Sequence, residues 1–336
     1  MKRLSLCGSA GPAALLLLLV AALPARAEAP RLNLPVACEI GRECWIIQYF
    51  DADPGPGWRD YTCNARSYDK HTGTDFGIRD RAAMVEGVAV LAAAAGRVAA
   101  IRDGVEDKAY DRAAPGDVKD RECGNAVRID HGEGWQTLYC HLRRDSVMVR
   151  SGQEVRTGQR LGMIGQSGAA QFPHVHLGVM HNGRMLDPFR GEDSGASETC
   201  GLASGHLWNP AALPELTYSG FDITHAGFAD RMPEMPGIEV GQWNGTVLPA
   251  QAEIITFWSV VYGVRTGDRV TLRLVGPNGE TIAEQALEVD RNQARIMRAV
   301  GRKRRGEAWP AGEYRGEITV ARGTERKQET RRLTVR

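Results

Sequence analysis

Short stretches in which polar and apolar positions alternate recur along this chain, and alternation marks strands with one buried face. His174-Val-His-Leu-Gly-Val179 shows it, as does Trp135-Gln-Thr-Leu-Tyr-Cys-His141, which predicts Thr137, Tyr139 and His141 on one face. Residues 88–101 are alanine-rich, but Gly96 and the flanking Val and Ile residues predict two strands around a bend rather than a helix. Residues 125–135 read as a hairpin turned by glycines, with His131 on the surface. Cys44–Phe50 predicts another strand, and the charged, turn-rich stretch 102–122 a long loop at a groove rim. Later strands are expected at Ala252–Tyr262, Asp268–Val275, Thr281–Val289, Gly312–Val320 and Arg331–Val335, with Pro277-Asn-Gly279 as a hairpin turn. The fold class is therefore all-β: an antiparallel β domain followed by a β-sandwich of immunoglobulin-like kind.

The first residues break this pattern. Met1-Lys-Arg3, the apolar run Ala13–Leu23 and Ala25-Arg-Ala27 have the three parts of a secretory signal peptide over 1–27. The run is shorter than the roughly 20 residues a membrane span needs. The expectation is an exported chain, periplasmic or extracellular, with no transmembrane segment after cleavage. Export leaves 39 basic against 41 acidic residues, a near-neutral balance that selects no partner, and it disfavours nucleic acid. It also leaves Cys38, Cys44, Cys63, Cys123, Cys140 and Cys200, an even set that suits disulfides. Cys123 and Cys140 flank the expected hairpin, whose midpoint would fall between His131 and Gly132, so those two are expected to pair.

Candidate chemistry lies in His71-Thr-Gly-Thr-Asp75 and Pro173-His-Val-His176. If both stretches are strands, His71 and Asp75 share one face, and so do His174 and His176. Two imidazoles and one carboxylate suffice as a catalytic zinc shell with an open fourth position. His141 fits the same surface. Competing motifs are weaker. Asp51 and Asp53 lack the glycine and glutamate offsets of a calcium loop and read as a solvated turn. Gly-Gln-Ser167-Gly-Ala169 lacks the last glycine of a serine-hydrolase elbow, which leaves Ser167 as a turn residue near the site. No H-E-x-x-H occurs, so proton handling would fall to histidine.

H-x-x-x-D, a His-Leu closing an aromatic strand, G-x-x-G-x-S-G and P-H-x-H-L together resemble the lysostaphin/LytM-type zinc metallopeptidases over roughly residues 68–189. The resemblance implies a LytM-type antiparallel β domain with a groove, one Zn2+ held by His71, Asp75 and His176, and His141 and His174 as catalytic non-ligand histidines. It implies a zinc metalloendopeptidase acting on peptidoglycan stems or cross-links. The alternative is a non-catalytic LytM-type module that binds the wall or activates an amidase, though such modules usually show broken ligand sets. The expected organisation is a segment 28–66 packed on the peptidase domain 67–191, a linker 192–214 and a sandwich 215–336. From Arg291 onward 14 Lys/Arg face 5 Glu, and Arg302-Lys-Arg-Arg305 is the densest cluster. It is a candidate contact for an anionic wall polymer or a membrane surface.

Overall fold

The computed structural model describes residues 29–111, 113, 118–191 and 199–336. The signal peptide expected over 1–27 and the start of the expected linker lie outside the described residues. Among those described, no helix is long and apolar enough to cross a membrane.

The first half is an antiparallel sheet of order β1-β2-β9-β6-β5-β4-β7. Its strands are β1 (Cys44–Gln48), β2 (Thr74–Ile78), β4 (Gly96–Arg102), β5 (Asn125–Gly132), β6 (Trp135–Leu142), β7 (Glu154–Val155) and β9 (His174–His181). A short β10 (Arg184–Leu186) adds to β9, and β3 (Ala89–Leu91) pairs with β8 (Arg160–Met163) in a separate ribbon. The bend expected within 88–101 falls between β3 and β4. One turn of helix, α1 (Arg81–Glu86), was not apparent in the strand-rich pattern. Asp80 caps it by accepting the Ala83 N–H at 2.8 Å.

The three central strands set the site. Asp75 of β2 stands opposite His176 of β9, which stands opposite Cys140 of β6. Their neighbours Phe76, Val175, Leu177 and Tyr139 are fully buried and point to the other face, into the larger core. Trp208 and Leu216, from the region beyond residue 198, fill that same core.

The second half packs a three-stranded sheet against a five-stranded one. The first has the order β11 (Asp222–Ala229), β13 (Ile254–Val264), β16 (Gln293–Lys303). The second runs β12 (Val247–Leu248), β18 (Glu325–Val335), β17 (Gly312–Arg322), β14 (Arg269–Val275), β15 (Thr281–Glu288). Phe257 and Val261 of β13 enter the core between these sheets. Trp258, Val260 and Tyr262 of the same strand point outward and form a third cluster with Trp45 and Ile47 of β1. Burial on both faces explains why β13 reads as a continuous apolar run.

Polar ties reinforce that apolar seam. Arg66 donates to the Asp222 carboxylate at 2.6 Å and to the Ser219 carbonyl at 2.5 Å, with side chains 1% and 8% exposed in the ion pair. Disulfides join Cys38–Cys44, Cys63–Cys200 and Cys123–Cys140. The last is the expected pair, but the expected register is not observed. The hairpin turns at Glu133–Gly134, later than the midpoint placed at His131–Gly132. The bridge closes because the chain ahead of β5 folds back over β6, where the Cys123 carbonyl accepts the His141 N–H at 2.8 Å.

Candidate metal centre

His71, Asp75 and His176 converge, but only two of them do so through strand alternation. Asp75 and His176 are direct cross-strand partners on one face of the sheet. His71 lies before β2, in a loop rather than a strand. Asp51 holds that loop: its N–H donates to the His71 carbonyl at 2.8 Å, and its carboxylate accepts the Lys70 N–H at 2.8 Å. Asp51 is 8% exposed, so the solvated turn expected there is instead a buried brace for the first histidine. Gly73 completes the approach. A Cβ there would stand 2.6 Å from His176 Nε2 and 2.4 Å from the Leu177 carbonyl oxygen, so only glycine lets the ring lie over the loop.

The three prospective ligand atoms form a small triangle. His71 Nε2 is 3.1 Å from both Asp75 Oδ1 and His176 Nδ1, and the last two atoms are 2.9 Å apart. The Nδ1–H of His71 is committed to the Tyr49 carbonyl at 2.6 Å, which leaves Nε2 presenting a lone pair in the neutral ring. Three lone-pair donors so close together repel unless a cation or proton lies between them. Ligands 2.0–2.1 Å from a tetrahedral ion stand about 3.3 Å apart, so a slight outward relaxation admits one. The donor set fits a divalent metal, and the three residues could hold one.

Electrostatics agree. Burial raises the Asp75 pKa, but the positive forms of His71 and His174 and hydrogen bonds from His176 and His71 hold it well below the carboxylate range. Burial lowers the His71 pKa, and the Asp75 charge and hydrogen bond more than offset this. The carboxylate stays ionised and ready to ligate.

His141 and His174 stand beside the triangle, their ring centroids 4.6 Å apart. Strict alternation would send His141 to the core face with Thr137 and Tyr139, contrary to the shared metal face expected from sequence. A register shift between β5 and β6 and a positive φ of 62° at His141 turn the ring to the metal side. Ser167 fixes it there. The His141 Nδ1–H donates to the Ser167 carbonyl at 2.8 Å, while Ser167 Oγ donates to the Leu142 carbonyl at 2.7 Å and accepts the Asn125 N–H at 2.9 Å. Ser167 is thus a positioning residue. His174 Nδ1–H donates to the Phe172 carbonyl at 2.8 Å. Both histidines therefore present a bare Nε2. Burial, and then the neighbouring His174 and His176, push the His141 pKa well below its ordinary value. Burial also lowers that of His174, against the pull of Asp75.

His131, expected on the surface, is tied in by the Ala95 carbonyl at 2.7 Å and Thr137 Oγ1 at 2.9 Å, away from the metal-ligand cluster. Sequence reasoning missed Tyr68, whose ring stacks on His71 at 4.5 Å. It also missed Gln48, which stands opposite Asp75 in β1. Both line a groove of about 660 Å³ that reaches Asp75, His141 and His174. Tyr110, from the stretch 102–122 expected as a rim loop, lines the same groove.

Part of the sequence that carries this site is similar to known proteins. Residues 69–188, a little over a third of the chain, match the profile of peptidase family M23. An uncharacterized metalloprotease of Haemophilus influenzae is 31% identical over 118 residues, covering 35% of this chain and 20% of the relative. The peptidoglycan DD-endopeptidase ShyA of Vibrio cholerae is 37% identical over 67 residues, covering 20% of this chain and 15% of the relative. The chain thus spans a fifth or less of the length of these two relatives. Among solved structures, a zinc-containing peptidase from Vibrio cholerae aligns at 26% identity over 47% of this chain and 39% of that one, with a TM-score of 0.32. The catalytic domain of lysostaphin from Staphylococcus simulans aligns at 21% identity over 42% and 85%, with a TM-score of 0.27.

Proposed function

We propose that this chain is an exported zinc metalloendopeptidase that hydrolyses peptide bonds in peptidoglycan stems or cross-links. The observation that carries the reading is the close triangle of His71 Nε2, Asp75 Oδ1 and His176 Nδ1, flanked by two histidines with bare Nε2 atoms. The M23 profile and the peptidoglycan DD-endopeptidase relative support the substrate class.

His71, Asp75 and His176 would hold the zinc. When bound, the ion supplies a lowered water pKa and polarises the scissile carbonyl. His141 and His174 handle the proton. Each is kept neutral by burial and held by a backbone carbonyl at Nδ1, so Nε2 can accept a proton from water and return it to the leaving amine. Their protonated forms can also donate to the developing oxyanion. The groove walls orient the peptide and exclude bulk water. Arg302, Lys303 and Arg305 are exposed at the end of β16 remote from the groove, roughly 30 Å along the strand from Gln293. There they would meet an anionic wall polymer or membrane surface without touching the scissile peptide.

Chelation and add-back test the reading. Purified peptidoglycan incubated with zinc-loaded protein should release soluble peptides, dialysis against a chelator should stop the release, and zinc should restore it. Release that is indifferent to chelation would remove the metal from the mechanism.

A further inference from the structure

The groove over the metal site is walled by both halves of the chain. One wall carries Asp75, His141 and His174, and the sandwich supplies Arg265, Asn292 and Gln293 to the other. That second wall is fixed in place. The aromatic seam of β1 and β13, the buried Arg66–Asp222 pair and a 2.8 Å hydrogen bond from Arg265 Nη1 to Asn64 Oδ1 lock it to the sheet.

Arg265 differs from the other arginines of this seam. Arg66 is neutralised by Asp222, and Arg295 by Glu239. Among the described residues, the side chain of Arg265 bonds to the neutral Asn64 amide and to no carboxylate, and its Nη2 is buried without a partner. In the same groove, Gln48 is 8% exposed and its Oε1 is likewise buried with no partner among the described residues. Buried polar atoms without partners are rare in native proteins, and each calls for an explanation. Both residues line the groove, so a small outward turn of either side chain lets a bound peptide supply one: a carboxylate is the natural complement of a guanidinium fork and a peptide N–H that of an amide oxygen.

We propose that the sandwich completes the substrate site and that Arg265 binds a free carboxylate of the peptide lying in the groove. The inference rests on the peptidase reading above. It makes the sandwich a determinant of specificity: peptides that keep their carboxylates are selected over amidated ones.

Two synthetic stem pentapeptides test this, one with its carboxylates free and one with every carboxylate converted to the amide. The zinc-loaded full chain should favour the acid form in kcat/KM by about tenfold or more, mainly through KM, which is what one charge-assisted hydrogen bond supplies. Arg265→Gln should bring the ratio close to one, and Arg265→Lys should recover part of it. The wild-type comparison alone, which needs no variant to fold, overturns the proposal if the two peptides are cut equally well. A ratio unchanged in Arg265→Gln overturns it too. If neither peptide is cut, digestion of cross-linked peptidoglycan decides the peptidase reading separately, and calorimetric titration of both peptides into the wild-type protein decides the carboxylate site. Tighter binding of the acid form upholds the site, and equal binding overturns it.

Discussion

Phe172 lies edge-on against Tyr262, with ring centroids 5.5 Å apart and planes at 83°, and the Phe172 carbonyl accepts the Nδ1–H of His174. The guanidinium of Arg295 sits 5.5 Å from the same phenyl ring. A residue of the sandwich thus braces the segment that aims a proposed catalytic histidine. Tyr262→Ala should therefore lower kcat on the order of ten- to hundredfold, the cost of a misplaced reacting group, while zinc content stays near one per chain. Tyr262→Phe, which keeps the ring, should restore the rate. Steady-state kinetics with metal analysis on the same samples checks this.

The proposed division of labour among the histidines makes a second prediction. His141→Ala and His174→Ala should retain zinc and lose catalysis by a factor on the order of 10²–10⁴. Asp75→Ala should lose both metal and activity. Metal analysis separates the cases: an empty His141→Ala or His174→Ala protein would make that histidine a ligand, and a loaded Asp75→Ala protein would remove Asp75 from the shell.

The seam between the two halves should respond to loss of its buried ion pair. Asp222→Ala leaves the Arg66 guanidinium, whose side chain is 1% exposed, without its carboxylate. Removing one partner of a buried pair typically costs about 3–5 kcal/mol. Denaturant unfolding should show a loss of that order, partly recovered in Arg66→Met/Asp222→Leu, where neither charge remains.

Acid should weaken the same seam through His225. This residue is 4% exposed, edge-on to Trp258, and burial is the main cause that pushes its pKa down to about 3; Asp80 opposes the shift, and Arg79, Arg295 and Arg331 add to it. The folded protein keeps the ring neutral while the unfolded chain protonates it below about 6.5. The unfolded state therefore binds more protons between pH 6.5 and 3, and stability falls as pH drops through that window. By pH 4 the loss from this group would be about 3 kcal/mol, an order-of-magnitude figure. His225→Phe should flatten the dependence of Tm on pH over this range. An unchanged slope would clear His225 of the effect.

Reduction of Cys123–Cys140 links stability to the site. The bridge closes a short loop, with a sequence separation of 17, and such loops contribute about 3 kcal/mol. The Cys123 carbonyl also holds the His141 N–H. Cys123→Ser/Cys140→Ser should thus lower Tm and activity together, whereas loss of Cys38–Cys44 should lower Tm with little effect on kcat.

What the sequence made legible, and what it hid, follows from how each residue is placed. Asp75 and His176 could be read because both lie in regular strands, where spacing maps directly onto a face. His71 was found through its motif, but the loop that delivers it depends on Asp51, 20 positions earlier, and on the close approach over Gly73. His141 was also singled out, though the alternation used to place it points to the wrong face. A bulge at one residue reverses that face, and no local pattern announces a positive φ at a histidine. In the sandwich, β16 and the first half of β18 were missed because arginine, lysine and glutamate occupy outward positions and blur the period of two. Arg265 and Gln293 gave no signal at all. Their relevance arises only when the seam brings the sandwich against the groove.

The central claim is that zinc held by His71, Asp75 and His176 drives hydrolysis of a wall peptide bond with histidine assistance. Digestion of purified peptidoglycan in water enriched in ¹⁸O, followed by mass spectrometry of the released peptides, tests it most directly. The zinc-loaded protein should release peptides carrying one ¹⁸O in a newly formed carboxylate, and zinc-loaded His174→Ala should release few or none. Products lacking a new labelled carboxylate, or undiminished release by His174→Ala, would contradict it.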